Sequence, residues 1–114
     1  MRRAIALTRT CDLDLRRGDY VDLLPGLLAE RRDDVLTVVF HSVSSTYLDE
    51  QRYGELVNVL ARAAVDGPLA WVSLEGPRHD PDYGGVALEL TVWPGGDTRR
   101  LAKADFHAAW LEWA

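Results

Sequence analysis

Several features that define whole classes of protein are scarce in this sequence. Its single cysteine, Cys11, excludes an intramolecular disulfide and therefore a disulfide-stabilised secreted scaffold, and this fits a reducing cytoplasm. Its one lysine is Lys103, and 18 acidic against 13 basic residues give a net charge of −5. Nucleic-acid and anionic-membrane surfaces depend on clustered positive charge, so neither partner is expected.

The sequence also lacks an apolar run long enough for a signal peptide or a membrane span, and it has no internal repeat. We therefore expect a cytoplasmic protein with no membrane partner. Its 114 residues are 47% apolar and 27% charged, which is the length and composition of a single globular domain. We therefore expect one α/β domain over residues 1–114. Within this domain, residues 1–17 have the weakest structural pattern.

Three consecutive segments predict a parallel βαβ unit. Residues 35–40 form a continuous apolar run, which predicts a strand covered by helices on both faces. Asp49 is a candidate N-cap for an amphipathic helix over residues 50–64, which Gly67 and the proline after it would end. Residues 69–74 are again strand-like. Strand, helix and strand in this order favour two parallel strands joined by a crossover helix.

Weaker patterns precede this unit. Residues 4–8 and 12–16 are each predicted to form a short strand, the second because its leucines alternate with polar residues. Residues 21–31 predict a helix in which Pro25 occupies the first turn. The amino-terminal part is thus expected to add two short strands and one helix.

A hairpin is predicted after the βαβ unit. Residues 78–85 are rich in turn formers and form a candidate lid, and residues 86–93 alternate as a strand does. Residues 94–97 then predict a hairpin turn, and residues 100–103 the returning antiparallel strand. The aromatic tail over residues 106–113 favours a strand over a helix.

Polar residues follow both strands of the βαβ unit. His41 ends the first strand and Glu75 the second, and ligands of open α/β sheets bind at the carboxyl ends of parallel strands. The two side chains are therefore expected to be neighbours and to form a catalytic acid/base pair. Ser42, Ser45 and Tyr47 are candidates for binding a polar ligand. The alternative is that the histidine and the glutamate pair for structural reasons alone.

Other kinds of site have less support. Asp19 is either a ligand-binding residue or the N-cap of the helix that follows it. The serines lack the glycine-bounded turn of a hydrolase nucleophile. His41, His79 and His107 lie far apart in the sequence, so no metal site is predicted.

Taken together, several segments resemble a bacterial family known as domain of unknown function 2332, from about Gly18 to the end of the chain. The segments that carry the resemblance are Gly18-Asp19, Val38-Val39-Phe40-His41-Ser42, Trp71-Val72-Ser73-Leu74-Glu75, Leu90-Thr91-Val92-Trp93-Pro94-Gly95-Gly96 and Trp110-Leu111-Glu112-Trp113. The resemblance covers the carboxyl-terminal half of that family. It implies a Rossmann-like, class I methyltransferase-like α/β fold: a partial mixed sheet with a parallel βαβ unit and a carboxyl-terminal antiparallel hairpin.

The same resemblance limits the expected function. S-adenosylmethionine is the cofactor that the fold implies, but the sequence has no glycine-rich strand-to-helix turn to complete its site. One hypothesis is a partial methyltransferase-like domain that binds a small polar or nucleotide-containing ligand near His41 and Glu75. The alternative is a non-catalytic module that works by self-association or by binding another protein, since a partial fold leaves apolar sheet surface uncovered and favours a homodimer.

Overall fold

A computed structural model describes residues 2–114 of the chain as three α-helices and a five-stranded sheet. The helices are α1 (Arg2–Thr8), α2 (Tyr20–Ala29) and α3 (Glu50–Ala63). The strands are β1 (Thr37–Ser42), β2 (Leu69–Glu75), β3 (Val86–Trp93), β4 (Asp97–Ala104) and β5 (Leu111–Trp113). Short 3₁₀ turns occupy Ser45–Tyr47 and Ala64–Asp66. None of the helices described has the length and hydropathy that crossing a membrane requires.

The strands are arranged in sequence order across a mixed sheet. β1 and β2 are parallel and are joined through α3, while β3, β4 and β5 each run antiparallel to the strand before them. The predicted α/β class, the parallel βαβ unit and the antiparallel hairpin are therefore confirmed. β5 also confirms that the aromatic tail ends as a strand.

Side-chain caps fix where the two longer helices begin. The Asp49 carboxylate accepts a hydrogen bond from the backbone N–H of Arg52 at 2.7 Å, and Asp19 accepts one from the N–H of Val21 at 2.8 Å. Because Asp19 starts α2 at Tyr20, Pro25 lies in the interior of the helix, and the prediction that it occupies the first turn is wrong. Since proline has no N–H, α2 lacks one of its internal backbone hydrogen bonds there.

The hydrophobic core lies between α2, α3 and one face of the sheet. Its buried residues are Val21, Leu28, Leu56, Leu60 and Leu69, with Val39, Trp71 and Trp93 packed against them. We call this the helix-side face of the sheet. It is formed by alternate residues of each strand, because successive side chains of a strand point to opposite faces.

The opposite face, here called the open face, is apolar; it is exposed to solvent along β1 and buried at Val86, Ala102 and Ala104 near β5. Val38 and Phe40 of β1 are 53% and 61% exposed. The expectation that helices cover β1 on both faces is therefore wrong for the described residues. Apolar residues at every position of a strand do not distinguish a face covered by helices from one left open, and here α2 and α3 pack on the same side.

Two further predictions fail at the amino terminus. Residues 4–8 belong to helix α1, and residues 12–16 form no strand. A strand needs a neighbour to pair its backbone, whereas a helix makes its hydrogen bonds internally, and alanine, leucine and arginine favour the helix. Arg16 instead makes a local ion pair with Asp14 at 2.7 Å.

Candidate functional site

The predicted pairing of His41 with Glu75 is present in the structure. β1 and β2 are in register with His41 beside Ser73, and β2 continues past this row to Glu75 on the same, helix-side face. His41 Nδ1 lies 2.8 Å from Glu75 Oε1, and the two side chains are 12% and 8% exposed. The parallel strands thus place an imidazole and a carboxylate together at the edge of the core.

The turn after β1 completes the hydrogen bonding of this carboxylate. Glu75 Oε1 accepts hydrogen bonds from the backbone N–H groups of Ser44 at 2.7 Å and Ser45 at 3.0 Å. The turn that aims them is strained, because Val43 has φ of 47°, a conformation that β-branched residues rarely adopt. Strain of this kind persists where surrounding contacts enforce it, and it is frequent at functional sites.

These contacts determine the charge of the Glu75 carboxylate. Burial by itself raises the pKa of Glu75, but the hydrogen bonds from His41, Ser45 and Ser44 together outweigh it and hold the pKa below its ordinary value. Glu75 is therefore ionised near neutral pH and accepts the Nδ1–H of His41. In the neutral imidazole, the Nε2 atom then carries the free lone pair.

Several buried polar atoms around this pair have no hydrogen-bond partner among the described residues. They are His41 Nε2, Glu75 Oε2, Trp71 Nε1 and Arg78 Nε. All four residues line one cavity of about 40 Å³, together with Tyr53 and Ser73. An unpartnered buried polar group costs roughly 1 to 3 kcal/mol, so native folds seldom keep one without a reason. Four such groups around one cavity leave unused hydrogen-bonding capacity there and make it the candidate site.

An aromatic wall and a cationic bridge enclose this cavity. The Trp71 ring lies 5.7 Å from the imidazole and 6.3 Å from the Tyr53 ring, and the Arg78 guanidinium stacks 4.2 Å from the Tyr53 centroid. Arg78 also donates to the Ser45 carbonyl at 2.6 Å and to Glu50 at 2.6 Å. It therefore ties the loop after β2 to the turn after β1.

A larger cavity of about 550 Å³ adjoins the small one at the strand ends. Both are lined by Ser45, Gly76, Pro77 and Arg78. The larger one is also lined by Gly84, Tyr83 and Phe106, of which Phe106 is 55% exposed. A Cβ added at Gly84 would meet open space, so the chain leaves room there. The loop over residues 78–85, a candidate lid in the sequence, thus forms one side of this cavity.

Comparison with known proteins identifies the family. The family model described as an uncharacterized protein conserved in bacteria, DUF2332, matches residues 1–113. The chain belongs to this family. No curated protein and no solved structure matches it. The match confirms the family that the sequence predicted, and it extends over residues 1–17 as well as the part from Gly18 onward.

The other residues singled out in the sequence lie around the pair at different distances. Ser45 is buried beside it and contributes its backbone N–H. Ser42 follows His41 in β1 and so lies on the open face. Tyr47 is 85% exposed in the 3₁₀ turn, and Asp19 caps α2 and lies 3.2 Å from Arg52. The structure thus brings Ser45 to the pair and leaves the other three at its margin or beyond.

Three residues of the cavity were not predicted to be functional. Trp71 reads as core packing in the sequence, Tyr53 as the buried face of a helix, and Arg78 as a loop residue. Of the three, only Tyr53 could have been placed near the site from the sequence. It is the first apolar position of α3 and therefore lies near the strand ends. Among the described residues there is no group of three or more histidine, cysteine or acidic side chains arranged to hold a metal ion.

Proposed function

We propose that this DUF2332 protein binds a small polar ligand at the ends of β1 and β2, with His41 as its general base. The observation that carries the proposal is the pair of buried, unpartnered atoms, His41 Nε2 and Glu75 Oε2, in one cavity. A base must present a free lone pair to the proton it removes, and its pKa must suit neutral pH. Histidine held by a carboxylate through Nδ1–H meets the first requirement at Nε2.

The proton transfer follows from these contacts. An O–H or N–H of the ligand gives its proton to His41 Nε2 and keeps the bonding electron pair. The imidazolium that forms is stabilised by the Glu75 carboxylate, which stays ionised and fixes the ring orientation. The N–H groups of Trp71 and Arg78 are hydrogen-bond donors available to an oxygen of the ligand. Glu75 is thus a positioning residue and His41 the reacting one.

The sizes of the two cavities suggest which part of such a ligand lies in each of them. A cavity of about 40 Å³ admits a group the size of a hydroxyl, since one water occupies about 30 Å³ in the liquid. The body of the ligand then lies in the cavity of about 550 Å³, beside Tyr83 and Phe106. Aromatic side chains next to open glycine backbone suit a planar ring, which supports a nucleotide-containing ligand.

A methyltransferase-like, Rossmann-type origin of the fold belongs to the same proposal. It is supported by the parallel β1–α3–β2 unit with the candidate site at its carboxyl ends. The uncovered open face supports the interpretation of the chain as the carboxyl-terminal half of a larger fold. S-adenosylmethionine is accordingly one ligand of the class, and its demethylated product is another.

The test is ligand binding measured by thermal shift and calorimetry with nucleosides, nucleotides, S-adenosylmethionine and its demethylated product. A ligand at a hundred times its Kd raises the free energy of unfolding by about 2.7 kcal/mol. Trp71→Phe removes one donor at the cavity and keeps the aromatic volume, so we expect it to weaken the binding of a hit at least tenfold. Trp93→Phe, outside the cavity, is the matched control.

A purely structural pair gives different results in this experiment. His41→Gln would then lower the melting temperature, and no compound of the panel would stabilise the unsubstituted protein. That combination would refute the proposal. A compound that binds the Trp71→Phe variant as tightly as the unsubstituted protein would place the ligand elsewhere.

A second function, self-association, is favoured by a separate observation. The open face exposes large apolar side chains from several strands, and such surfaces on soluble proteins mark interaction sites. Sedimentation velocity tests this directly: a species of twice 12.8 kDa is expected, and a monomer at all concentrations would refute it.

A further inference from the structure

The open face is a continuous apolar surface that carries one acidic and one basic residue near its β4 corner. Its exposed or half-buried apolar residues are Val38, Phe40, Val72, Leu74, Leu88, Leu90, Val92, Leu111 and Trp113. Four long strands about 4.8 Å apart and six residues long give a projected area on the order of 400 Å². A patch of this size is as large as the largest apolar patch of a typical monomer, and such patches are often functional.

The register of the sheet gives this face an internal symmetry. Val39, Trp71, Thr91 and Thr98 form one straight row across β1 to β4. These four side chains point to the helix-side face, so the open-face residues lie just before and just after the row in each strand. The resulting pairs are Val38 and Phe40, Ala70 and Val72, Val92 and Leu90, and Asp97 and Arg99.

We propose that two copies of this chain pack open face to open face about a two-fold axis that runs along this row. The proposal rests on the self-association proposed above. A two-fold axis in the plane of the interface exchanges the two sides of the row, so Val38 of one copy faces Phe40 of the other. By the same operation Leu90 faces the other copy's Val92, and Asp97 faces its Arg99.

Charge complementarity favours a second copy of this chain over a different protein with an apolar surface. Asp97 and Arg99 are both exposed, and neither makes an ion pair or a side-chain hydrogen bond with any of the described residues. A two-fold interface must be complementary to itself, which requires opposite charges at equal distances on either side of the axis. The two residues meet this requirement, and the axis makes each Asp97–Arg99 contact occur twice.

The experiment is sedimentation velocity on the full chain with charge-reversing substitutions. D97R places two arginines on each copy at this corner, so the interface would hold like charges in both contacts. We expect it to weaken dimerisation about tenfold or more, and we expect R99D to do the same. The double variant D97R/R99D restores opposite charges across the axis, so we expect its dimer to match that of the unsubstituted chain.

Controls and mixtures separate this arrangement from the alternatives. D33R and R17D make the same changes in net charge at exposed sites outside the strands of the sheet, and we expect both to remain dimeric. An equimolar mixture of the D97R and R99D chains should form a heterodimer. Circular dichroism checks that each variant keeps its fold.

The outcomes are distinct. A chain that is monomeric without any substitution refutes both self-association and this arrangement. A dimer that resists both D97R and R99D, or that is lost in the double variant as in the single ones, keeps self-association and refutes the two-fold axis along this row. Loss of the dimer in D33R or R17D would show a general effect of charge and would also refute it.

Discussion

Replacement of Glu75 by glutamine tests the buried pair most directly. The substitution keeps the shape of the side chain and an oxygen that accepts hydrogen bonds, but it removes the negative charge. Glu75 Oε1 accepts three hydrogen bonds, from His41, Ser44 and Ser45. A hydrogen bond to a charged group contributes roughly 1 kcal/mol more than a neutral one, so three bonds give roughly 3 kcal/mol.

Part of this loss is recovered in the variant. Burial of a neutral amide costs less than burial of a carboxylate, and we assign about 1 kcal/mol to this difference. We therefore expect Glu75→Gln to lower the free energy of unfolding by about 2 kcal/mol at pH 7, measured by urea denaturation. Glu112→Gln, at an exposed glutamate of β5, is the matched control and should change stability little.

The pH dependence of the free energy of unfolding provides a second test of the same substitution. The folded-state pKa of Glu75 is lowered from its ordinary value of 4.5, so its contribution is present above that value and is lost as the pH falls through the folded-state pKa. The stability advantage of the unsubstituted protein over Glu75→Gln should therefore shrink as the pH falls below the ordinary pKa of the carboxyl group. If the two proteins were equally stable at pH 7, or if their difference in stability persisted unchanged at low pH, Glu75 would not be an ionised carboxylate that stabilises the fold.

Further predictions concern the elements that position the site. Val43→Gly relieves the positive φ of the turn and should raise the free energy of unfolding by up to about 1 kcal/mol in urea denaturation, whereas Val43→Ala should not. Asp49→Ala removes the N-cap of α3 and should cost about 1 kcal/mol, with Asp49→Asn close to neutral in the same assay. Leu60→Ala opens a cavity at a fully buried position and should cost about 2 to 5 kcal/mol by thermal or urea unfolding; a smaller loss would show that α3 is less tightly packed than described.

Much of the candidate site follows from local patterns in the sequence. The apolar period of α3, its Asp49 cap and the strand-like runs on either side are short-range signals, and together they predict parallel β1 and β2. Once the strands are parallel, residues that follow each of them must lie at the same edge of the sheet. The contact between His41 and Glu75 could therefore be predicted without coordinates.

The surroundings of this pair could not be predicted in the same way. Trp71, Tyr53 and Arg78 come from a strand, a helix and a loop, and their meeting depends on the angle at which α3 crosses the sheet. The unpartnered state of Glu75 Oε2 is likewise a property of the assembled site, because it depends on every neighbour at once.

The sequence by itself therefore determined the order of the elements from α2 onward, the parallel pair and the meeting of an imidazole with a carboxylate, since these depend on periodicity and on capping residues close in the chain. Only the tertiary structure decided that α2 and α3 lie on one face and leave Phe40 exposed on the other. The physical reason is that an apolar side chain in a strand gains the same free energy against any apolar cover. A pattern of such residues therefore shows that a face favours burial, while the packing of distant elements determines which faces are covered.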